Sequence, residues 1–489
     1  MTWSNYGGNI VVKPKRIEQP TTLQQLIDIV RNAEAHGLTV RGFGDGHSFS
    51  SVAVTDDVMV RTHSYASPLP LPPMRNLAGN PRLVNVEAGI TLAQLIRHLR
   101  SLKTPLALPN MGSYTGQALI GAITTGTHGS GLTLGPIAEM VRSVLIVASG
   151  GRVFRIEPSN GITDPAVPET GVTLVQNDDW FHSVVVSMGC MGLVHSLVIE
   201  GIPDYELFED RRLGRWTEAR SMIDVDHAIF SRFRHQEILV NPYSTDGAPK
   251  VLVTARRTRT TEALSPQPTR DSPWLAIANV AQELVGIGLQ SHIVNHPTQI
   301  PGLLDSGLSA LRGTFCSHYD GVLTLGLGGI DGYANEIAVP FEQTATAVDI
   351  IIETLNKLRV PKNWRTYVTS PFSLRFVAAS AHYLAPQYGR PTCMIELPFM
   401  SLPDIGVTEE SVLILNHIQR RLQTTCDARM HWGLEFDALT AEQVRTMYPR
   451  WQTWCEVLLA LDPRGTFRNS WTRRVIEPLL QHTGGTITA

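Results

Sequence analysis

The sequence predicts a two-domain α+β chain, and three observations carry that prediction. Its 489 residues are more than one hydrophobic core accommodates. Short strand-like runs are interspersed with amphipathic helical ones, and three glycine-rich loops lie ahead of residue 205. The composition is 43% hydrophobic and 17% charged with a net charge of −3, which offers no electrostatic footprint for nucleic acid or an anionic membrane. No segment reaches the roughly 18 uninterrupted apolar residues of a spanning helix. The start, "MTWSNYGGNI", lacks the basic, apolar, small-residue order of a secretory signal. Cys190, Cys316, Cys393, Cys426 and Cys455 are scattered and never form C-x-x-C. They read as reduced, mostly buried thiols of a cytoplasmic protein, without a disulfide framework or a metal site.

The elements follow in order. In "PTTLQQLIDIVRNAEAHG", Leu23, Leu26, Ile27 and Val30 recur at helical spacing, with Thr21 or Thr22 as cap and Gly37 as the stop. A strand, "LTVRG", leads into "RGFGDGHSFS". "VNVEAG" (84 to 89) alternates as a strand should, and "TLAQLIRHLRSL" puts Leu92, Leu95, Ile96 and Leu99 on one helical face. "VLIVASGGRVFRI" reads as a hairpin joined by Gly150 and Gly151. Proline-rich loops are expected at 67 to 81 and 263 to 273. A more helical middle region begins near residue 205 and includes "FEQTATAVDIIIETLNKL", with Ala345, Val348, Ile351, Ile352 and Leu355 as its stripe.

Glycine gives up more backbone entropy on folding than any other residue, so three in the run 41 to 50 imply that the backbone itself approaches a partner. The run is neither a P-loop nor a Rossmann fingerprint, because a polar loop and another strand follow it rather than a helix. Consecutive amides can still form an anion-binding nest. A second loop, "GAITTGTHGSG" (121 to 131), and a third, "SMGCMGLVHSL", which sets Gly189 and Gly192 ahead of a strand, suggest one long phosphate-bearing ligand with two flanks.

Taken in order, these segments resemble the vanillyl-alcohol-oxidase type flavoproteins, nearest the aldonolactone and alditol oxidases. The landmarks are "WSNYGG", "VRGFGDGHSFS", "VNVEAGITLAQL", "LALPNMGS", "GAITTGTHGSG", "SMGCMGLVHSL", "FRHQEILVNPYS", "NEIAVPFE", "SLRFVAAS", "MHWG" and "LDPRGTFRN". The resemblance implies a PCMH-type FAD-binding fold: residues 1–204 bind FAD, 205–425 form an α+β cap for the substrate, and 426–489 return to the first domain. It implies that FAD is held by Gly42, Phe43, Gly44, Asp45, Gly46, His47 and Ser48. Gly112, Ser113, Gly121, Thr125, Gly126, Thr127, His128, Gly129, Gly189, Gly192 and Val194 complete the set. It implies a covalent bond from His47 to the flavin; the alternatives are a loop histidine that only hydrogen-bonds and non-covalent FAD.

For activity, the resemblance implies an oxidase taking a hydride from a CH–OH group of a small alcohol or sugar-derived substrate and passing electrons to O2 to give hydrogen peroxide. Glycine at 112, where related dehydrogenases carry alanine, would admit oxygen to the flavin. Arg375, His431, Ser373, Glu435 and Gly112 are the candidate catalytic positions. Ser373 stands where a Glu-x-Arg pair would have its glutamate, and Leu434 where a lysine would follow His431-Trp432. Loss of both charged groups implies a less polar pocket and a substrate other than a simple polyol. His235 and Glu336 are assigned structural roles. The rival readings are a non-catalytic flavoprotein and a same-fold enzyme acting on an amine, a lipophilic alcohol or a biosynthetic intermediate.

Overall fold

A computed structural model describes residues 2–75, 80–225, 229–243, 245–265, 270–271, 289–326, 332–400 and 407–481. A small parallel sheet comes first. Strand β1 (Arg16–Glu18) leads to helix α1 (Leu23–Ala35), then to β2 (Val40–Phe43) and β3 (Val58–Arg61), and β3 pairs with both other strands. Thr22 caps α1 by accepting from the Gln25 amide, and Gly37 follows at φ 62°. The helix buries Leu26, Val30 and Ala33.

The second sheet contains β4 (Pro68–Leu69), β5 (Leu83–Glu87), β6 (Val141–Ala148), β7 (Arg152–Glu157), β8 (Thr173–Gln176) and β9 (Leu193–Glu200), in the order β8-β7-β6-β9-β5-β4. The expected hairpin is β6 with β7, where Ala148 faces Arg152 across the two glycines. Helix α2 (Leu92–Ser101) carries a full capping box between Thr91 and Gln94 and buries the four residues of its stripe. The 121 to 131 segment is not all loop: its first four residues belong to helix α3 (Leu119–Thr124). Six residues without a side-chain cap are too few for periodicity to reveal a helix.

The third sheet is antiparallel throughout. Its strands are β10 (Glu206–Arg215), β11 (His235–Val240), β12 (Lys250–Thr258), β13 (Gly313–His318), β14 (Gly332–Pro340), β15 (Phe372–Val377), β16 (Thr392–Met400) and β17 (Arg429–Met430). Their order is β13-β10-β12-β11-β15-β16-β14-β17. Helix α4 (Thr344–Leu358) buries Ala345, Val348, Ile351 and Leu355 and packs on α5 (Glu409–Thr425), with Ile352 partly covered.

After β17 the chain crosses to the first two sheets. The Trp454 indole in helix α6 (Trp451–Leu461) donates to the Val186 carbonyl at 3.2 Å. The Val40 amide donates to Thr466 at 2.8 Å, and Asn469 donates to Ser51 and Val54, each at 2.9 Å. All five cysteines are free and buried. Residues 76–79, 266–269 and 272–273 of the proline-rich stretches lie outside the described residues. No described helix is long and apolar enough to cross a membrane.

Candidate active site

Two adjoining cavities make up the site. The first is a cleft lined by Gly42, Phe43, Gly44, Asp45, Gly46, His47 and Ser48, by Gly121, Thr125 and Thr127, and by Gly189. Gly46 and Gly189 sit at φ 78° and 70°, a region that β-carbons disfavour, so glycine there lets the chain turn back with its amides bare. A Cβ added to Gly121 would meet no protein atom within 4 Å. The cleft wall at that point is therefore open backbone.

Arg41 lies behind these glycines, 2% exposed. Its guanidinium donates to the carbonyls of Phe467 at 2.8 Å, Gly189 at 3.0 Å and Met188 at 2.5 Å, and also to Val52. No carboxylate is among its partners in the described residues. Carbonyls take up N–H groups of both terminal nitrogens, Nε has no hydrogen-bond partner among the described residues, and the full positive charge stays at the cleft wall, where an anionic ligand would offset it. Bare glycine amides beside a buried cation fit the pyrophosphate of FAD.

His47 stands at the far end of the run. Its ring stacks on Tyr6 at 4.1 Å and lies against Tyr114 at 4.0 Å. Nε2 is 3.1 Å from Asp45 Oδ2, and the Tyr114 hydroxyl donates to the same carboxylate. Burial lowers the His47 pKa, with Asp45 opposing in part. The ring is thus held toward its neutral form with the Asp45 carboxylate beside Nε2.

A second cavity shares His47, Gln117, Thr127, His431 and Leu434 with the cleft. Gly112, Ser113 and His128 line it from one side, and Glu336, Arg375 and Glu396 from the third sheet. Tyr6, Phe49, Tyr333, Pro398 and Leu434 supply a less polar wall. Arg375 is held by Glu396 at 2.8 Å and Glu237 at 3.4 Å; Arg256 bridges Glu237 at 3.1 Å and Glu209 at 2.9 Å. His128 Nε2 is 3.1 Å from Glu336, and Nδ1 donates to the Gly129 carbonyl at 2.7 Å.

These neighbours separate the two carboxyls facing the cavity. Burial alone would raise Glu336, but His128, helped by His431 and Arg375, holds it well below the ordinary range. Burial lifts Glu396 above that range, with Arg375 opposing and Glu336 and Glu237 reinforcing. Burial takes His431 down to about 4, against the pull of Glu336. Its Nδ1 accepts from the Gly433 amide at 3.1 Å, so the neutral ring carries its proton on Nε2.

Several expected residues lie elsewhere. Ser373 and Glu435 line neither cavity. The Glu435 carboxylate accepts from the Tyr333 hydroxyl and, at 2.7 Å, from the Asp437 amide. Gly126, Gly192 and Val194 also line neither; a Cβ at Gly192 would come within 2.5 Å of the Val147 carbonyl, which is a packing reason for that glycine. Gly129 borders a smaller pocket with Gly112 and Ser113. The less polar pocket expected from Ser373 and Leu434 is not what forms, because Glu336 and Glu396 bring carboxylates from the neighbouring strands β14 and β16. Arg41, Tyr6, Tyr114, Glu237 and Glu396 were absent from the sequence-derived set. The one legible signal was for Glu396, a lone acid in the apolar run "TCMIELPFM".

Comparison with known proteins agrees with this geometry. Residues 14–157 match the family described as FAD binding domain, and 328–475 match D-arabinono-1,4-lactone oxidase. The chain is 27% identical over 480 residues to L-gulono-1,4-lactone dehydrogenase of Mycobacterium tuberculosis, covering 97% of this chain and 99% of that one. It is 27% identical over 479 residues to alditol oxidase of a Streptomyces species, with the same two coverages. Among solved structures, cholesterol oxidase from B. sterolicum shares the fold with a TM-score of 0.71 over 96% of each chain, at 12% identity.

Proposed function

We propose, from the premise that this chain is a PCMH-type FAD-binding flavoprotein beside the aldonolactone and alditol oxidases, that it oxidises a CH–OH group of a small alcohol or sugar-derived substrate and reduces O2 to hydrogen peroxide. The observation that carries this reading is the junction of the two cavities. The glycine cleft and the carboxylate-lined cavity meet at His47, Gln117, Thr127, His431 and Leu434, so a ring system reaching the end of the cleft abuts whatever fills the second cavity.

The chain's own groups divide the work. The amides of Gly44, Gly46 and Gly121 and the charge of Arg41 would hold the pyrophosphate, and the neutral ring of His47 would carry the covalent link to the flavin. Bound FAD supplies the hydride acceptor and the route for electrons to oxygen. His431 donates Nε2–H to the substrate oxygen and orients it. Residues 1–204 and the segment after Met430 form the flavin-binding unit, and the sheet between them is the substrate cap. Leu434, Phe49 and Tyr333 favour a substrate with one less polar side.

Oxygen is favoured as acceptor because Gly112 lines the second cavity without a side chain. An alanine Cβ there would stand 3.4 Å from the His128 carbonyl and from the Thr127 methyl, so the variant folds and fills that space. The relative named as a dehydrogenase supports a second reading, in which another acceptor replaces O2. Stopped-flow mixing of reduced enzyme with air separates the two. Rapid reoxidation with peroxide release, slowed in Gly112→Ala while reduction by substrate persists, is the expected result. Reoxidation only by quinones or dyes makes it a dehydrogenase.

A further inference from the structure

The third sheet supplies a carboxylate at the place where strand β15 lacks one. Its register sets Glu396 of β16 directly across from Ser373, with Glu336 of β14 across from Glu396 on the other side. Directly paired residues of an antiparallel ladder project from the same face, so Glu396 occupies the same row as Ser373. Glu396 Oε2 accepts from Arg375 at 2.8 Å and from the Ser373 hydroxyl at 3.4 Å.

Like charges directly opposed on a sheet are destabilising, and the neighbouring acids are already spoken for. His128 engages Glu336, while Arg256 and Arg375 engage Glu237. Glu396 has one cationic partner, keeps 31% of its side chain accessible and lines the cavity. Among the described residues both of its hydrogen bonds fall on Oε2, which leaves Oε1 for a ligand.

Building on the reading of this cavity as an alcohol pocket, we propose that Glu396 is its substrate-orienting carboxylate, with Oε1 accepting a hydrogen bond from a hydroxyl beside the carbon that is oxidised. Arg375 fixes the carboxylate in place, and Ser373 is small because the neighbouring strand already fills its row. A purely structural Glu396 would only clamp Arg375.

The test uses the flavin-loaded enzyme with xylitol, L-gulono-1,4-lactone and octane-1,2-diol, following anaerobic bleaching and steady-state turnover. Glu396→Gln keeps the shape of the side chain and removes its charge. It should raise KM for whichever probe is oxidised by roughly tenfold or more while kcat changes much less, the loss expected for one hydrogen bond to a charged group. The unfolding temperature should stay at the wild-type value. The paired exchange Ser373→Glu with Glu396→Ser returns the carboxylate to the same row from the other strand and should recover most of the lost affinity. An unchanged KM in Glu396→Gln, or a KM effect that the exchange fails to reverse, overturns the proposal while leaving the pocket assignment intact. A wild type that no probe bleaches removes the alcohol-pocket reading and this inference with it.

Discussion

A methyl group placed on Gly121 points into open cleft, whereas one on Gly192 would run into the Val147 carbonyl. The two glycines should therefore respond differently to alanine. Gly121→Ala should leave thermal unfolding of the apoprotein unchanged and weaken FAD retention on gel filtration. Gly192→Ala should unfold earlier, since it joins that clash to a φ of 148°. His47→Ala should give a protein whose yellow colour washes free after acid precipitation, while the wild-type pellet stays coloured. Tyr6 and Tyr114 clamp the ring and the Asp45 carboxylate lies beside Nε2, so Asp45→Asn should slow attachment. Mass spectrometry of the tryptic peptide carrying residue 47 measures each outcome.

At the level of elements, Arg256 on β12 links the acids of two strands, Glu209 on β10 and Glu237 on β11, and Glu237 in turn holds Arg375 on β15. Replacing Arg256 by Met would leave two buried carboxylates without that cation, a loss of roughly 3–5 kcal/mol. Urea unfolding should show it directly. The same elements mark how far sequence reading went. Helix α1, helix α2 and the β6–β7 hairpin were legible because their periods and caps are local. The glycine loops were legible as a cradle because their composition is abnormal for any other purpose. Glu396 was not, since its place beside Ser373 depends on which strands pair and in which register, and no local period encodes that. Arg41 escaped for a similar reason: its partners Met188, Gly189 and Phe467 come from loops far along the chain.

Considered as a whole, the molecule buries many histidines in their neutral form. Burial is the first cause that lowers His195, His382 and His431 to about 4 and His235 to about 3. In the unfolded chain these rings take up protons near pH 6.5. The stability they contribute is thus fully present above about 6.5 and is lost as the pH falls toward the folded values. Glu237 is lowered to about 2 despite its burial, by Arg256 and Arg375, and adds a further loss below about 4.5. Differential scanning calorimetry should find an unfolding temperature that is level between about pH 7 and 8 and declines steadily below about 6.5. A temperature that rises on acidification would contradict the neutral assignment.

The cage around Arg41 also sets an order of events during synthesis. One of its four carbonyls belongs to Phe467, 426 residues downstream, and the Ser50 hydroxyl donates to Trp432, 382 residues downstream. His431, Gly433 and Leu434 complete the cleft wall. A ribosome that has made only the first glycine loops therefore displays an unfinished socket, and cofactor capture waits until nearly all of the polypeptide has emerged. Nascent chains arrested before residue 430 should hold no flavin, and the nucleotide would enter a body whose cap has already folded.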